Sequence, residues 1–296
     1  MEPKHATVEG ISVRRIDLPM RWVEQGEGSP LVLIHGIPTS PLLWREVMPR
    51  IVGARCLAWE MVGYGASAAE GRDRDISLSA QADYLALWLK HLGIDRSVLA
   101  GHDLGGGVAQ VAAIRYPGLC AGLFLTNAIG YDSRPVPRAG ALQAMNGVAR
   151  HLPGPLFKVT FRSWLRRGHD RSEQAEAALA AHWPHYAADG VARLIRQAKA
   201  LDVQDTLAVA DRLAHLNVPA RVVWGEDDAW RRIEHGERFA RDLKAPLRRI
   251  AGAKHFTPED HPDIVAEEIN LLLEEVRNAR RRLLAAEPGL APPPSR

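Results

Sequence analysis

The sequence predicts an α/β protein built on a mostly parallel sheet with helices on both faces. Short continuous apolar runs recur, as in Leu31-Val32-Leu33-Ile34 and Ser97-Val98-Leu99-Ala100, and such runs suit strands buried on both faces. Glycine-bearing loops follow the strand-like runs, at His35-Gly36, Gly63-Tyr64-Gly65 and Gly101-His102-Asp103. Between them the chain takes a helical period: Leu78, Ala82, Leu85, Leu89 and Leu92 lie four or three residues apart. Strand and helix in regular alternation pack as a doubly wound sheet.

The bulk properties agree with this. A chain of 296 residues with 46% apolar content holds one large domain, or a core with an insertion. The net charge of +3 is small and the basic residues are scattered, which excludes a nucleic-acid footprint. Cys56 falls in a predicted strand and Cys120 near the start of another, so both are expected as free thiols. The first residues, Met1-Glu2-Pro3-Lys4-His5, lack the apolar stretch of a signal peptide. No apolar run approaches the ~20 residues of a membrane span. The expectation is a soluble cytoplasmic protein with no membrane or nucleic-acid partner; nothing in the sequence sets an oligomeric state.

Taken in order, Ile11 to Asp17 and Met20 to Gln25 alternate as an antiparallel opening pair. Leu31 to Ile34 is a buried strand, Leu42 to Val52 a helix, and Cys56 to Met61 the next strand. The helix of Leu78 to Leu92 leads to the strand at Ser97, a helix through Ala109 to Ala113, and a strand from Gly122 to Asn127. The alternation stops near Gly130. From Tyr131 to Leu213 the pattern is helical with several prolines, which reads as an inserted cap. Pro219 to Gly225 is a strand, Ile233 to Leu243 a helix, Pro246 to Ala251 the last strand, and Val265, Ile269, Leu272 and Val276 mark a closing helix. The expected division is a core over 1–130, a helical cap over 131–213, the second part of the core over 214–284, and a disordered Pro- and Ala-rich tail over 285–296.

The chemistry gathers at Gly101-His102-Asp103-Leu104-Gly105. This is the G-x-S-x-G elbow, a tight strand-to-helix turn that holds its central side chain above the sheet, with aspartate at the centre. A carboxylate there can attack an electrophilic carbon and form an ester. The following backbone N–H opens a helix and can face an anion.

Five stretches in this order resemble the α/β-hydrolase fold: His35-Gly36-Ile37-Pro38, Gly63-Tyr64-Gly65-Ala66-Ser67, the elbow, Trp224-Gly225-Glu226-Asp227-Asp228, and Gly252-Ala253-Lys254-His255-Phe256. The aspartate-centred elbow resembles the branch of haloalkane dehalogenases, haloacetate dehalogenases and epoxide hydrolases. The resemblance runs from Ile11 to Leu273 and implies an eight-stranded, mostly parallel sheet with an α-helical cap after the sixth strand.

It also implies a division of labour. Asp103 is the nucleophile, His255 the base that activates water, and Asp228 the acid that orients the imidazole. Asp227, and Asn127 or Asp132 after the sixth strand, are the alternative places for that acid. The backbone N–H groups of Ile37 and Leu104 form an oxyanion hole. His35 supports its loop, Glu60 caps or ties the next one, and His261 is a surface or capping residue. No cofactor and no metal are implied, and water is the co-substrate of a small molecule.

The chain departs from the dehalogenases in carrying Leu104 where they place Trp or Arg, and Ile37 where many place Asn. Epoxide hydrolysis therefore leads, with a cap phenol from Tyr131 or Tyr186 as proton donor. Halide displacement, with an N–H from Trp164 or Trp183, is the alternative. His182 is a further pocket candidate beside Tyr186. A non-catalytic ligand-binding protein on the same fold is the reading from another class.

Overall fold

In the computed structural model, which describes residues 3–8, 18–133 and 153–286, one sheet of eight strands runs through the molecule in the order β1-β2-β4-β3-β5-β6-β7-β8. The strands are β1 (Pro3–Val8), β2 (Leu18–Gln25), β3 (Ser29–Ile34), β4 (Ala54–Trp59), β5 (Ser97–His102), β6 (Cys120–Thr126), β7 (Ala220–Gly225) and β8 (Leu247–Ile250). β1 and β2 pair antiparallel, as do β2 and β4; the remaining pairs are parallel.

The register brings the carboxyl ends of the central strands together. Ile34 lies beside Gly101, Gly101 beside Leu125, Thr126 beside Val223, and Gly225 beside Ile250. In open α/β sheets this is the edge along which ligand-binding loops sit.

Side chains alternate between the faces. Val32 and Ile34 pack with Leu85, Trp88, Val108 and Leu213 on one side, and Leu31 and Leu33 with Trp44, Val265, Ile269 and Leu272 on the other. Each such Leu or Ile, fully buried, contributes about 1.5–3 kcal/mol. The first face carries helices α1 (Leu78–His91) and α2 (Leu104–Arg115). Between β6 and β7 come α3 (Gly154–Gly168), α4 (Ser172–His182), α5 (Gly190–Lys199) and α6 (Val203–Leu213). Asp202 caps α6 by accepting from the Gln204 N–H at 2.9 Å. α7 (Ile233–Asp242) follows β7, a single turn α8 (Thr257–Asp260) follows β8, and α9 (Pro262–Ala286) ends the described chain.

Several expectations are corrected. In place of a helix over Leu42 to Val52 there are two short 3₁₀ turns, Pro41–Trp44 and Met48–Arg50; Pro49 has no N–H to continue a helix. The opening pair uses Pro3–Val8 against Leu18–Gln25, and the expected strand over 11–17 lies outside the described residues. α9 carries helix through residues 285 and 286, and the remainder of the expected tail, 287–296, lies outside the described residues. Cys56 and Cys120 are buried free thiols, both pushed up to about 12 by burial. Among the described residues no helix is long and apolar enough to cross a membrane.

Candidate active site

At the end of β5 the backbone turns sharply. Asp103 has φ 50° and ψ −117°, a region that costs a non-glycine residue on the order of 1–3 kcal/mol. Its carbonyl accepts from Gly106, Gly107 and Ile129 at 3.1, 3.4 and 3.0 Å, so the surroundings hold the turn in place. The close approach of the segment after β3 to the elbow leaves no room for side chains at two points. A Cβ on Gly105 would lie 2.1 Å from the Ile34 carbonyl oxygen, and one on Gly36 would lie 2.6 Å from the Asp103 Cβ.

The Asp103 side chain is 1% exposed and has contacts on both oxygens. Oδ2 accepts from the Ile37 N–H at 3.3 Å. Oδ1 accepts from Arg231 Nε at 3.0 Å and Nη2 at 2.7 Å. His255 Nε2 stands 3.9 Å from the same Oδ1. Burial works against the negative charge, but Arg231, His255 and His102 outweigh it and hold the carboxyl below its ordinary range. Leu104 is buried at the first position of α2.

The His255 ring is suspended between two carboxylates. Its Nδ1 lies 2.7 Å from Asp228 Oδ2. Asp228 also accepts from Asn127 Nδ2 at 2.7 Å and from the N–H groups of Trp230 and Arg231 at 2.8 and 3.0 Å. Burial opposes its ionisation, yet the His255 ring and these donors bring it down to about 2. An ionised Asp228 can only accept, so Nδ1 carries a proton and Nε2 is the nitrogen turned toward Asp103. Asp227 is exposed, and the Asp132 side chain is 79% exposed and 3.8 Å from His235. Of the acids considered, the structure brings Asp228 to the imidazole.

Two loops brace the arrangement. Met61 N–H donates to His35 Nε2 at 3.2 Å, which puts the ring proton on Nδ1, where it meets the Gly36 carbonyl at 2.9 Å. Burial lowers His35 to about 3, so it stays neutral. Glu60 accepts from the Ala66 and Ser67 N–H groups at 3.0 and 2.8 Å and from Ser67 Oγ at 2.7 Å. It ties together the loop that carries Tyr64.

The residues expected to roof the site fall in different places. Tyr131 stacks on Phe239 with ring centroids 4.7 Å apart and donates to Asp242 Oδ2 at 2.8 Å. Its hydroxyl is thus committed to α7. Trp183 packs against Phe157 and Phe161 and lies beneath Lys158, within the inserted helices. Tyr186 contacts Phe161, and its hydroxyl donates to Gln197 Oε1 at 3.0 Å. Trp164 packs on Trp230, whose ring meets the His255 ring at 4.8 Å between centroids.

His182 is tied to the core. Its Nδ1 is 3.1 Å from Ser40 Oγ and its Nε2 3.4 Å from Glu259 Oε1. Glu259 also pairs with Arg45, and His169 meets Asp260 at 3.0 Å. This buried polar cluster fastens α3 and α4 to the turn α8. His261 pairs with Asp170 at 2.5 Å. Among the described residues no group of three or more His, Cys, Asp or Glu is placed to hold a metal ion.

Three residues of the site were not singled out from the sequence. Arg231 and Trp230 lie in the irregular Ala229-Trp230-Arg231-Arg232 stretch after Asp228, where no periodicity marks a direction. Their closeness in sequence to Asp228 was the one available signal. Tyr64 is buried, and burial together with the negative charge of Asp103 pushes its hydroxyl up.

Comparison with known proteins places these features in context. A family described as alpha/beta hydrolase fold matches residues 29–262. Haloalkane dehalogenase 2 of Mycobacterium bovis is 26% identical over 275 residues, covering 84% of this chain and 90% of that protein. Bifunctional epoxide hydrolase 2 of Sus scrofa is 36% identical over 100 residues, which cover 33% of this chain and 18% of that protein. The crystal structure of an alpha/beta hydrolase fold protein from Burkholderia ambifaria superposes with a TM-score of 0.77 at 24% identity, covering 89% of this chain and 99% of that one.

Proposed function

Because this chain belongs to the alpha/beta hydrolase fold family, we propose that it hydrolyses a small alkyl electrophile through an ester formed on Asp103. The observation that carries this reading is the line Asp228–His255–Asp103. An imidazole held at 2.7 Å by one buried carboxylate turns its other nitrogen toward a second, 3.9 Å away. The two groups are close enough for a water near both to give a proton to Nε2 while its oxygen approaches the Asp103 carboxyl carbon.

In the first step an Asp103 carboxylate oxygen attacks carbon and the bond to the leaving group breaks. In the second, His255 Nε2 takes a proton from water as the water oxygen adds to the ester carbonyl carbon. The negative charge that develops on Asp103 Oδ2 already faces the Ile37 N–H; with the Leu104 amide at the helix start, this pair serves as the oxyanion hole. Collapse releases the alcohol and restores the carboxylate. Asp228 stabilises the imidazolium meanwhile. In this reading the inserted helices α3, α4, α5 and α6 cap the site.

Two leaving groups fit. Epoxide opening draws on the phenols of Tyr186 and Tyr64; burial, however, pushes the Tyr186 hydroxyl well above its ordinary range, which weakens it as a proton donor. Halide displacement needs no proton, only a partner for the departing anion, and Arg231 is a buried cation at the reacting oxygen.

Turnover in ¹⁸O-water tests the ester. Label is expected in the Asp103 carboxylate, read by mass spectrometry of the peptide that contains it. Turnover with no label there overturns the covalent route; tight ligand binding without turnover supports the non-catalytic reading instead.

A further inference from the structure

Arg231, in the loop that follows β7, reaches Asp103 at the end of β5 across one intervening strand. Its guanidinium is 4% exposed and clasps Oδ1 through two N–H groups. A third, Nη1, donates to the Trp230 carbonyl at 3.0 Å and fixes the fork in place. A guanidinium is always charged, and a buried one left without an anion is strongly destabilising. In the resting protein Asp103 is that anion.

The ester reading removes it. When Asp103 Oδ1 gives its electron pair to carbon, the carboxylate loses its charge and the pair of the broken bond leaves on the departing group. Arg231 keeps its charge throughout. The site stays neutral only if the departing group remains beside the guanidinium as an anion. A halide meets this condition without any proton transfer. An epoxide oxygen becomes a strongly basic alkoxide and must take a proton, after which Arg231 has no partner.

We propose that Arg231 is a transferable counter-ion, paired with Asp103 at rest and with a released halide while the ester stands, so that the site takes alkyl halides and holds the halide where Leu104 and Ile37 offer no side-chain donor. This rests on the ester reading and adds the substrate class to it. When water regenerates the carboxylate, Asp103 reclaims Arg231 and displaces the halide. Net, alkyl halide and water give alcohol, halide and a proton.

Asp103→Asn copies the uncharged ester without any turnover. In chloride-free buffer, calorimetric titration with sodium bromide is expected to show at least tenfold tighter binding to D103N than to the unmodified protein, whose own carboxylate competes. D103N/R231Q, which buries neither charge, should lose that binding. Bromide should also raise the melting temperature of D103N and leave that of D103N/R231Q unchanged. Asp103→Ala serves in the same way if D103N does not fold. Equal bromide affinity for D103N and the unmodified protein overturns the proposal, as does bromide binding that survives in D103N/R231Q. Binding of acetate but not bromide to D103N overturns it too, by making Arg231 a site for a substrate carboxylate. The ¹⁸O experiment reports on the ester independently: label in Asp103 without bromide binding to D103N keeps the ester and removes the counter-ion exchange.

Discussion

Asn127 and Asp228 are joined by a 2.7 Å hydrogen bond from the amide Nδ2 to the carboxylate Oδ2. The other end of the Asn127 amide accepts from the Gly225 N–H at 3.2 Å. One side chain at the end of β6 therefore fixes both the acid and the strand end that presents it.

Replacing Asn127 with Ala removes a donor from Asp228 and leaves the buried Gly225 N–H unpaired. An unpaired buried polar group costs about 1–3 kcal/mol, and urea unfolding should show a loss of that size. Steady-state kinetics should show kcat falling further than KM changes, because the proposed mechanism relies on Asp228 to support the imidazolium. An unchanged kcat would separate Asn127 from the chemistry.

His255→Gln should stop the cycle halfway. In the proposed cycle, attack of Asp103 on carbon needs no base, whereas attack of water on the ester does. Intact-mass spectrometry of H255Q after exposure to substrate should show the protein heavier by one alkyl group, accumulating in proportion to enzyme. Undiminished multiple turnover by H255Q is the contrary result.

Glu259 makes stability depend on acidity. Burial opposes its charge, but hydrogen bonding to His182 and the charges of His182, Arg45 and His169 bring it from 4.5 down to about 2. A carboxyl lowered by folding stabilises fully above its unfolded value and loses that contribution as pH falls toward the folded one. The shift corresponds to roughly 3 kcal/mol near neutrality. The stability gap between the unmodified protein and Glu259→Gln should therefore be largest above pH 5 and close as pH falls toward about 2. Urea melts across that range read it directly, and a gap independent of pH would contradict it.

Much of this arrangement is legible in the residues. Gly101 and Gly105 announce the elbow because two backbones approach too closely there for any side chain. The order Asp103, Asp228, His255 follows from the loops that end β5, β7 and β8. The roof is a different matter. A helical period tells which face of a cap helix is buried but not against what, so Tyr131 and Trp183 read as equal candidates with Trp164. Only Trp164 lies one ring away from His255. Arg231 is harder still: its long side chain sits in an irregular loop, and its partner is 128 residues away. β1 carries little signal in the sequence, because its Lys4 and His5 face solvent at the sheet edge without an apolar stripe to mark them.

The sheet order has a kinetic consequence. The His102 ring bonds to the His255 carbonyl across 153 residues, and strands adjacent in the middle of the sheet are remote along the chain. Contacts this distant close slowly during folding. No early hairpin or local fragment contains Asp103, His255 and Arg231 together. The buried charges of the site thus find their partners only when β5, β7 and β8 have joined one sheet, and until then each remains solvated. Activity recovered during refolding should accordingly lag behind secondary structure, appearing with the last docking of strands.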